Sequence, residues 1–246
     1  MRCGSAVVTG LVLAALGASP VAAGDATPLA VVELFTSQGC SSCPAADKVL
    51  GELAGRPGIV ALSLPVDYWD YLGWRDTLAE HAFTERQRAY AAARGDGQVY
   101  TPQVVVNGMV HAVGSRMAEI EAAVETSRQK LGAAVTSLVV KYEGEAIVVE
   151  VGAAPAGSAA NDGRILMAVT ERQVPVEITK GENRGKTIVY HNVVRKLAEV
   201  GRWTGAAQSM RLEKADLMPA GTDGCVALLQ EGAAGPILAA AQLAEP

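Results

Sequence analysis

The amino-acid sequence predicts an α/β domain with a mixed sheet covered by helices on both faces, followed by an all-β, sandwich-like region. Three observations lead to this prediction. Up to about residue 133, apolar runs of strand length alternate with amphipathic helical patterns. Asn107-Gly108, a pair typical of tight hairpins, separates two of these strands. After Gly132 the apolar residues recur at every second position, as in strands with one buried face.

The first region contains its elements in the order strand, helix, strand, helix, hairpin and helix. We expect strands over residues 30–35, 59–64, 103–106 and 109–113, and helices from residue 40, over residues 76–93 and after residue 115. Gly55, Pro57 and Gly58 end the first helix, and Ser115 caps the last one. Parallel crossovers joined to an antiparallel pair produce a mixed sheet.

The second region is predicted to consist of short strands joined by turns rich in Gly, Asn and Asp. The strand candidates cover residues 136–142, 145–151, 164–170, 174–179, 187–194, 208–212, 224–230 and 236–243. Residues 191–200 fit either a strand or a helix. Strands of this length and spacing are typical of a β-sandwich.

The first 23 residues have the pattern of a cleaved secretory signal peptide. Arg2 supplies a positive charge, residues 7–16 form an apolar stretch too short to cross a membrane, and small residues lead up to Ala23. No later run in the sequence has the length and apolarity of a membrane span. The mature chain is therefore expected in the periplasm or outside the cell, with one domain over residues 24–133 and another over residues 134–246.

Composition and spacing argue against two classes of partner. The chain has 246 residues, of which 50% are hydrophobic, and a formal net charge of −5 at pH 7. It contains no basic stretch of the kind that binds nucleic acid. Residues 181–187 (GENRGKT) look like a phosphate loop, but three residues separate the glycines where that motif has four, and a strand-like run follows. We therefore expect binding of neither nucleic acid nor nucleotide.

Three cysteines remain once Cys3 is removed with the signal peptide. Cys40 and Cys43 form a Cys-Ser-Ser-Cys motif, whereas Cys225 lies in an apolar run with a period of two. We expect Cys225 to be buried and unpaired, because a free cysteine in such a run behaves as a small hydrophobic residue. The close pair is then the candidate for chemistry in an oxidising compartment.

Cys40 follows a predicted strand and opens a predicted helix. Unpaired N–H groups and the helix dipole stabilise a thiolate there, so Cys40 is the candidate nucleophile of disulfide exchange and Cys43 the resolving thiol. Such exchange needs no cofactor, because the sulfurs carry the electrons. Two alternatives stay open. One is a structural disulfide in a non-catalytic envelope or binding protein, and the other is a copper-handling site built on the two thiolates. Met109 and His111 are candidates to complete such a site, but their alternation on a strand after a hairpin favours a structural role.

Several motifs carry a resemblance to a known family. They are LFTSQGCSSCP, VDYWDYLGWRD, YTPQVVVNG, GENRGKT and HNVV. Together they resemble a family of secreted bacterial proteins numbered twelve-twenty-three among the domains of unknown function, within the thioredoxin superfamily. The resemblance spans essentially the whole mature chain and implies a thioredoxin-like fold for the first domain. In that fold, Thr101 and Pro102 would form a cis-proline site that faces the cysteine pair and shapes the groove for an extended substrate.

Disulfide exchange implies thiol- or disulfide-bearing proteins as partners. Tyr68, Trp69 and Trp74 are candidates for the wall of a substrate groove, since aromatic rings with a polar group suit such positions. The alternative for these residues is packing beneath a long insertion. Thioredoxins carry a buried acid that assists proton transfer, and Glu33 in the first strand stands near its place, one residue farther from Cys40.

Overall fold

The structure, a computed structural model, describes residues 30–132, 136–158 and 160–243 of the 246-residue chain. The predicted signal peptide and the predicted boundary at residues 133 and 134 lie outside the described residues. The described chain is a mixed α/β structure with an eight-stranded mixed sheet and a second, three-stranded sheet. Within these ranges, no helix combines the length and the apolarity needed to cross a membrane.

The first seven elements have the predicted order. They are β1 Ala30–Thr36, α1 Cys43–Ala54, β2 Ile59–Pro65, α2 His81–Arg94, β3 Gln103–Val106, β4 Val110–Val113 and α3 Met117–Leu131. The strand boundaries of this region lie within one residue of the prediction, whereas α1 begins at Cys43 rather than at residue 40 and α2 begins at His81 rather than at residue 76. The N-cap of α3 is Arg116 and not Ser115, which was predicted to cap this helix. Pro44 occupies the first turn of α1, where the missing N–H of proline removes no helical hydrogen bond.

The remaining elements are strands apart from one short helix. They are β5 Leu138–Glu143, β6 Ala146–Val151, β7 Gly163–Glu177, β8 Thr187–Trp203, β9 Gln208–Glu213, α4 Lys214–Leu217, β10 Gly224–Glu231 and β11 Ile237–Gln242. Residues 191–200, which fit a strand or a helix in the sequence, belong to β8. The two strands predicted over residues 164–170 and 174–179 form the single strand β7, which pairs with β8 along its length.

The large sheet continues from the first region into the second, in the order β11-β10-β7-β8-β2-β1-β3-β4. β1 pairs with β2 in parallel and with β3 in antiparallel orientation. The two regions join at a parallel bridge between Ser63 of β2 and Val193 of β8. The smaller sheet has the order β5-β6-β9 and packs against β7, β10 and β11. The two layers of the second region therefore share their larger sheet with the first region.

Helices cover both faces of the sheet around β1. Val32 and Leu34 pack against α1 and α3, whereas Phe35 packs on the opposite face with Phe83 and Tyr90 of α2. This alternation follows from the period of two in a strand. The apolar cluster on the α2 side also includes side chains of β7, β10 and β11, so one core extends across both regions.

A buried polar network also connects the two regions. Arg86 of α2 donates through Nε to Glu33 Oε1 at 2.7 Å and through Nη1 to Gln230 Oε1 at 3.0 Å. The Tyr90 hydroxyl donates to Glu33 Oε2 at 2.5 Å. All four residues are buried, so these bonds form away from competing water. The network therefore ties β1, α2 and β10 together.

Candidate functional site

Cys40 and Cys43 form a disulfide in the turn that connects β1 to α1, with their Cα atoms 5.4 Å apart. The Cys40 N–H donates to Ser37 O, and the Cys43 N–H donates to Cys40 O, each at 3.2 Å. Cys43 is the first residue of α1. Cys40 therefore stands just outside the helix, next to the N–H groups that the first helical turn leaves unpaired.

The two sulfur-bearing residues have different surroundings. Cys43 is 0% exposed and Cys40 is 2% exposed. Ser42 Oγ lies 3.4 Å from Cys40 Sγ, and the side chains of Ser41 and Ser42 are exposed. When the pair is reduced, the Ser42 hydroxyl is placed to donate a hydrogen bond to a Cys40 thiolate. Cys43 has no such hydroxyl among its described contacts.

Trp69 lies against the cysteine turn and connects it to Thr101. A Cβ atom added at Gly39 would lie 3.1 Å from Trp69 Cβ, so a glycine at this position allows the close approach. Trp69 Nε1 donates to Thr101 Oγ1 at 2.7 Å. Trp69 therefore bridges the turn before α1 and the segment before β3.

Pro102 lies on the same face of the sheet as α1. The Thr101-Pro102 peptide bond is cis. A Cβ atom added at Gly114 would lie 3.1 Å from Ala46 Cβ of α1 and 3.2 Å from Pro102 Cβ. Pro102 and the helix that carries Cys43 are therefore neighbours, although they are far apart in the sequence.

Gln38 connects the cysteine turn to the rest of the aromatic segment. Its Oε1 accepts from Trp74 Nε1 at 2.8 Å, and its backbone N–H donates to Asp76 Oδ2 at 2.7 Å. Burial raises the pKa of Asp76 to about 6.

The Tyr68 hydroxyl donates to Gln87 Oε1 at 3.2 Å. The three aromatic residues predicted for a groove wall are thus half-buried and hydrogen-bonded, and the two tryptophans contact the cysteine turn.

Asn183 holds the cysteine turn from the second region. It lies between β7 and β8, is fully buried, and donates through Nδ2 to Gln38 O and to Cys40 O, each at 2.9 Å. Lys186 Nζ donates to Asn183 Oδ1 at 2.9 Å. Asn183, held by Lys186, therefore supports the cysteine turn, and β8 begins at the last residue of the 181–187 segment. Sequence reasoning missed Asn183, because a side chain 143 residues away from Cys40 gives no local signal.

Asp47 is a buried acid one helical turn after Cys43, and sequence reasoning missed it too. Its Oδ1 accepts from Thr36 Oγ1 at 2.9 Å, and its Oδ2 has no hydrogen-bond partner among the described residues. Burial raises the pKa of Asp47 to about 8. The spacing of Cys43, Ala46, Asp47 and Leu50 along one face of α1 was the available signal.

Other residues selected from the sequence lie outside this site. Glu33 faces α2, on the opposite face of the sheet from α1, and is bound by Arg86. His111 of β4 has its Nδ1 2.9 Å from the Tyr100 hydroxyl. Cys225 of β10 is buried and forms no disulfide, which confirms the prediction that it is a buried, unpaired cysteine. Burial raises the pKa of its thiol to about 12. In the described ranges, no group of three or more His, Cys, Asp or Glu side chains is arranged to hold a metal ion.

Comparisons with known proteins give a family and similar solved structures. The family model described as "Protein of unknown function (DUF1223)" matches residues 31–230. A crystal structure of a protein from Agrobacterium tumefaciens is 32% identical, with 89% of this chain and 95% of that chain covered and a TM-score of 0.76. HBP35 of Porphyromonas gingivalis is 12% identical, with 89% and 76% covered and a TM-score of 0.62, which shows a similar fold alone. Among curated proteins no match is found.

Proposed function

The chain belongs to DUF1223, a family of proteins of unknown function, and we propose from its site that it is an exported thiol–disulfide exchange protein. Cys40 is the nucleophile, Cys43 is the resolving thiol, and the substrates are proteins or small molecules that carry thiols or disulfides. Export rests on the signal-like pattern of the first 23 residues. The two sulfurs exchange the electrons themselves, so the reaction requires no cofactor.

The observation that carries this proposal is the asymmetry of the cysteine pair. Cys40 stands outside α1, near the unpaired N–H groups of its first turn and 3.4 Å from the Ser42 hydroxyl, whereas Cys43 belongs to the helix and has no hydroxyl among its described contacts. Both surroundings of Cys40 favour its thiolate, and the thiolate is the form that attacks a disulfide. A pair that only stabilises a fold does not require two unequal sulfurs.

A thioredoxin-like architecture for the first region is part of the proposal. It is supported by the order of β1, α1, β2, α2, β3, β4 and α3, and by the antiparallel position of β3 beside β1. A cis bond before Pro102, beside α1, also fits a groove that receives an extended chain. Trp69 and Trp74 would form the wall of that groove opposite Asn183.

The exchange proceeds in two balanced steps. The Cys40 thiolate attacks one sulfur of a substrate disulfide, forms a mixed disulfide and releases the first substrate thiolate. The Cys43 thiolate then attacks Cys40 Sγ, closes the Cys40–Cys43 disulfide and releases the second thiolate. The substrate gains two electrons and the cysteine pair loses two. The same steps in reverse oxidise a substrate dithiol, and the relative reduction potentials set the direction.

A structural disulfide in a non-catalytic binding protein is the second candidate. The observation in its favour is the burial of the disulfide, since Cys40 is only 2% exposed and Trp69 lies against the turn. A structural bond resists reduction by glutathione and has a reduction potential below about −300 mV. A higher potential favours the exchange reaction.

Single cysteine variants test the proposal directly. We expect Cys43→Ser to accumulate mixed disulfides through Cys40 in the export compartment, because the resolving thiol is missing, and Cys40→Ser to accumulate almost none. Non-reducing gels followed by reduction of the excised bands measure the adducts, with Cys225→Ser as the matched control. Adducts from Cys40→Ser alone would reverse the two roles. Absence of adducts from both variants, together with a potential below about −300 mV, would support the structural disulfide.

A further inference from the structure

A cavity of about 570 Å³ lies between α1 and the beginning of β8, next to the cysteine turn. This volume falls in the range of about 300–1,000 Å³ that is typical of small-molecule sites. Pro44, the residue after Cys43, belongs to its lining together with Asp47 and Lys48 of α1. Residues 186–189 and His191 form the opposite wall.

The two walls of the cavity are held at a fixed separation. The His191 ring packs directly on α1, because a Cβ atom added at Gly51 would lie 2.7 Å from both Cδ2 and Nε2 of the imidazole. The glycine therefore leaves room for the imidazole against the helix in this position. Lys186 is also fixed, since its Nζ donates to the buried Asn183 Oδ1 at 2.9 Å. The cavity is consequently a preformed feature of the fold.

The polar groups at the mouth of the cavity suit an anion. Lys48, Lys186 and Thr187 are exposed there, and His191 is half-buried. A lysine has three N–H donors, so Lys186 retains two after its bond to Asn183. Lys48 has no ion pair with an acidic side chain among the described residues. All four side chains offer hydrogen-bond donors, and two of them carry a positive charge at neutral pH.

The one acid that lines the cavity has a raised pKa, which favours its neutral form near pH 7. Asp47 lies on the inner wall at 1% exposure, and burial raises its pKa to about 8. Besides burial, the hydrogen bond from Thr36 of β1 and the charge of Asp76 from the aromatic segment act on this pKa, and Tyr190 of β8 is close enough to interact with the carboxyl group. The other polar groups that line the cavity are Lys48, Lys186, Thr187 and His191. With Asp47 protonated, no negative charge in the lining opposes an incoming anion.

The rest of the lining is apolar. Ile188 is buried on the inner wall, Pro44 is half-buried, and the Val189 side chain is exposed. A bare inorganic ion would leave these surfaces and much of the volume unused. A ligand with a short hydrocarbon portion would cover them and gain hydrophobic stabilisation.

From this arrangement we propose that the cavity binds an amphipathic organic anion, with a carboxylate between Lys48, Lys186 and His191 and a short hydrocarbon chain along Pro44, Ile188 and Val189. The site is independent of the proposed exchange reaction, since it uses neither sulfur. A protein with an inert disulfide would retain it.

Binding of hexanoate to the whole mature chain tests the site. We expect hexanoate to shift amide NMR signals of α1 and β8 in a saturable way, with inorganic phosphate and 1-hexanol each binding more weakly. Lys48→Gln should weaken hexanoate binding about threefold, because one charge contact is lost. Lys130→Gln, on the exposed side of α3, is the matched control and should leave the affinity unchanged. Equal affinity for hexanoate and 1-hexanol, or tighter binding of phosphate, would overturn the proposal.

The pH dependence of the same titration gives a second, independent readout. Above pH 8 the Asp47 carboxyl ionises and repels the bound carboxylate, so the affinity of the native chain should fall about threefold between pH 7 and pH 9. Asp47→Asn should bind hexanoate equally at both pH values. A parallel loss of affinity in Asp47→Asn would contradict the role given to this acid.

Discussion

Asp47 is a polar residue in an apolar position. It faces the sheet from α1 beside Ala46 and Leu50, and one of its carboxyl oxygens has no hydrogen-bond partner among the described residues. An unpaired buried charge costs several kcal/mol, so a carboxyl group in this position keeps its proton instead. This is the physical reason why the pKa of Asp47 rises to about 8. A residue of this kind is retained at a cost to stability, which can be measured.

We predict that Asp47→Asn changes how stability depends on pH. The folded chain retains a proton on Asp47 up to about pH 8, whereas the unfolded chain releases it near pH 4, so the free energy of unfolding falls as pH rises between these values. The slope for one proton is about 1.4 kcal/mol per pH unit. Asp76 adds little to the pH dependence of stability between pH 6 and pH 8, because its pKa in the folded chain is about 6.

Urea denaturation at pH 6 and pH 8 provides the measurement. The native chain should lose stability over this interval, and Asp47→Asn should lose less and be the more stable protein at pH 8. Glu52→Gln, on the exposed side of the same helix, is the control and should follow the native chain. A variant with the same pH slope as the native chain would show that Asp47 ionises normally.

Two elements enclose the cysteine turn from opposite sides. The aromatic segment between β2 and α2 holds it through Trp69 and Trp74, and the connection between β7 and β8 holds it through Asn183. Each indole makes one hydrogen bond and is half-buried, and Asp76 of the same segment accepts from the Gln38 N–H, whereas the Asn183 side chain is fully buried. We therefore expect a reductant to reach Cys40 more easily from the side of the aromatic segment.

We predict that Thr101→Val accelerates reduction of the disulfide. Valine has the shape of threonine but does not accept the hydrogen bond from Trp69 Nε1, so the closed position of the segment loses about 1 kcal/mol. This corresponds to a rate of reduction about fivefold higher. The rate is measured with a phosphine reductant by thiol labelling after an acid quench. Tyr71→Phe, at a side chain that is 77% exposed, should have no effect. Unchanged rates in both Thr101→Val and Trp69→Ala would show that the segment does not limit access.

At the scale of the whole molecule, the two regions share a sheet, an apolar cluster and a polar network. The sheet passes between them at the bridge of Ser63 and Val193. The apolar cluster around α2 includes strands from both regions. Arg86 binds Glu33 in the first region and Gln230 in the second. Contacts that are shared in this way are lost together when either region unfolds, which is the condition for a cooperative transition.

We predict one unfolding transition for the whole described chain. Trp203 is the tryptophan of the second region, so in Trp203→Phe the fluorescence comes from Trp69 and Trp74 beside the cysteine turn, while far-UV circular dichroism reports both regions. Both signals from this one variant should have the same midpoint in urea. Two separate midpoints would mean that the regions unfold independently, as two autonomous domains do.

The sequence by itself determined most of the local structure and the position of the cysteine pair. The periods of two and 3.6 predicted the order of the elements up to α3, and the Asn107-Gly108 turn has positive φ at both positions, 49° and 71°, as its sequence requires. The Cys-Ser-Ser-Cys spacing and the burial of Cys225 also followed from neighbouring residues. These features depend on contacts within a few residues along the chain.

Tertiary structure alone decided how the second region completes the site and the sheet. The Asn183 side chain reaches the turn across 143 residues, β8 joins the edge of β2, and Asp47 becomes neutral only because α1 packs onto the sheet. Residues 191–200 carry a pattern that suits strand or helix, and pairing with β7 selects the strand. Burial and long-range hydrogen bonding arise from the packing of distant segments, so no periodicity within one segment encodes them.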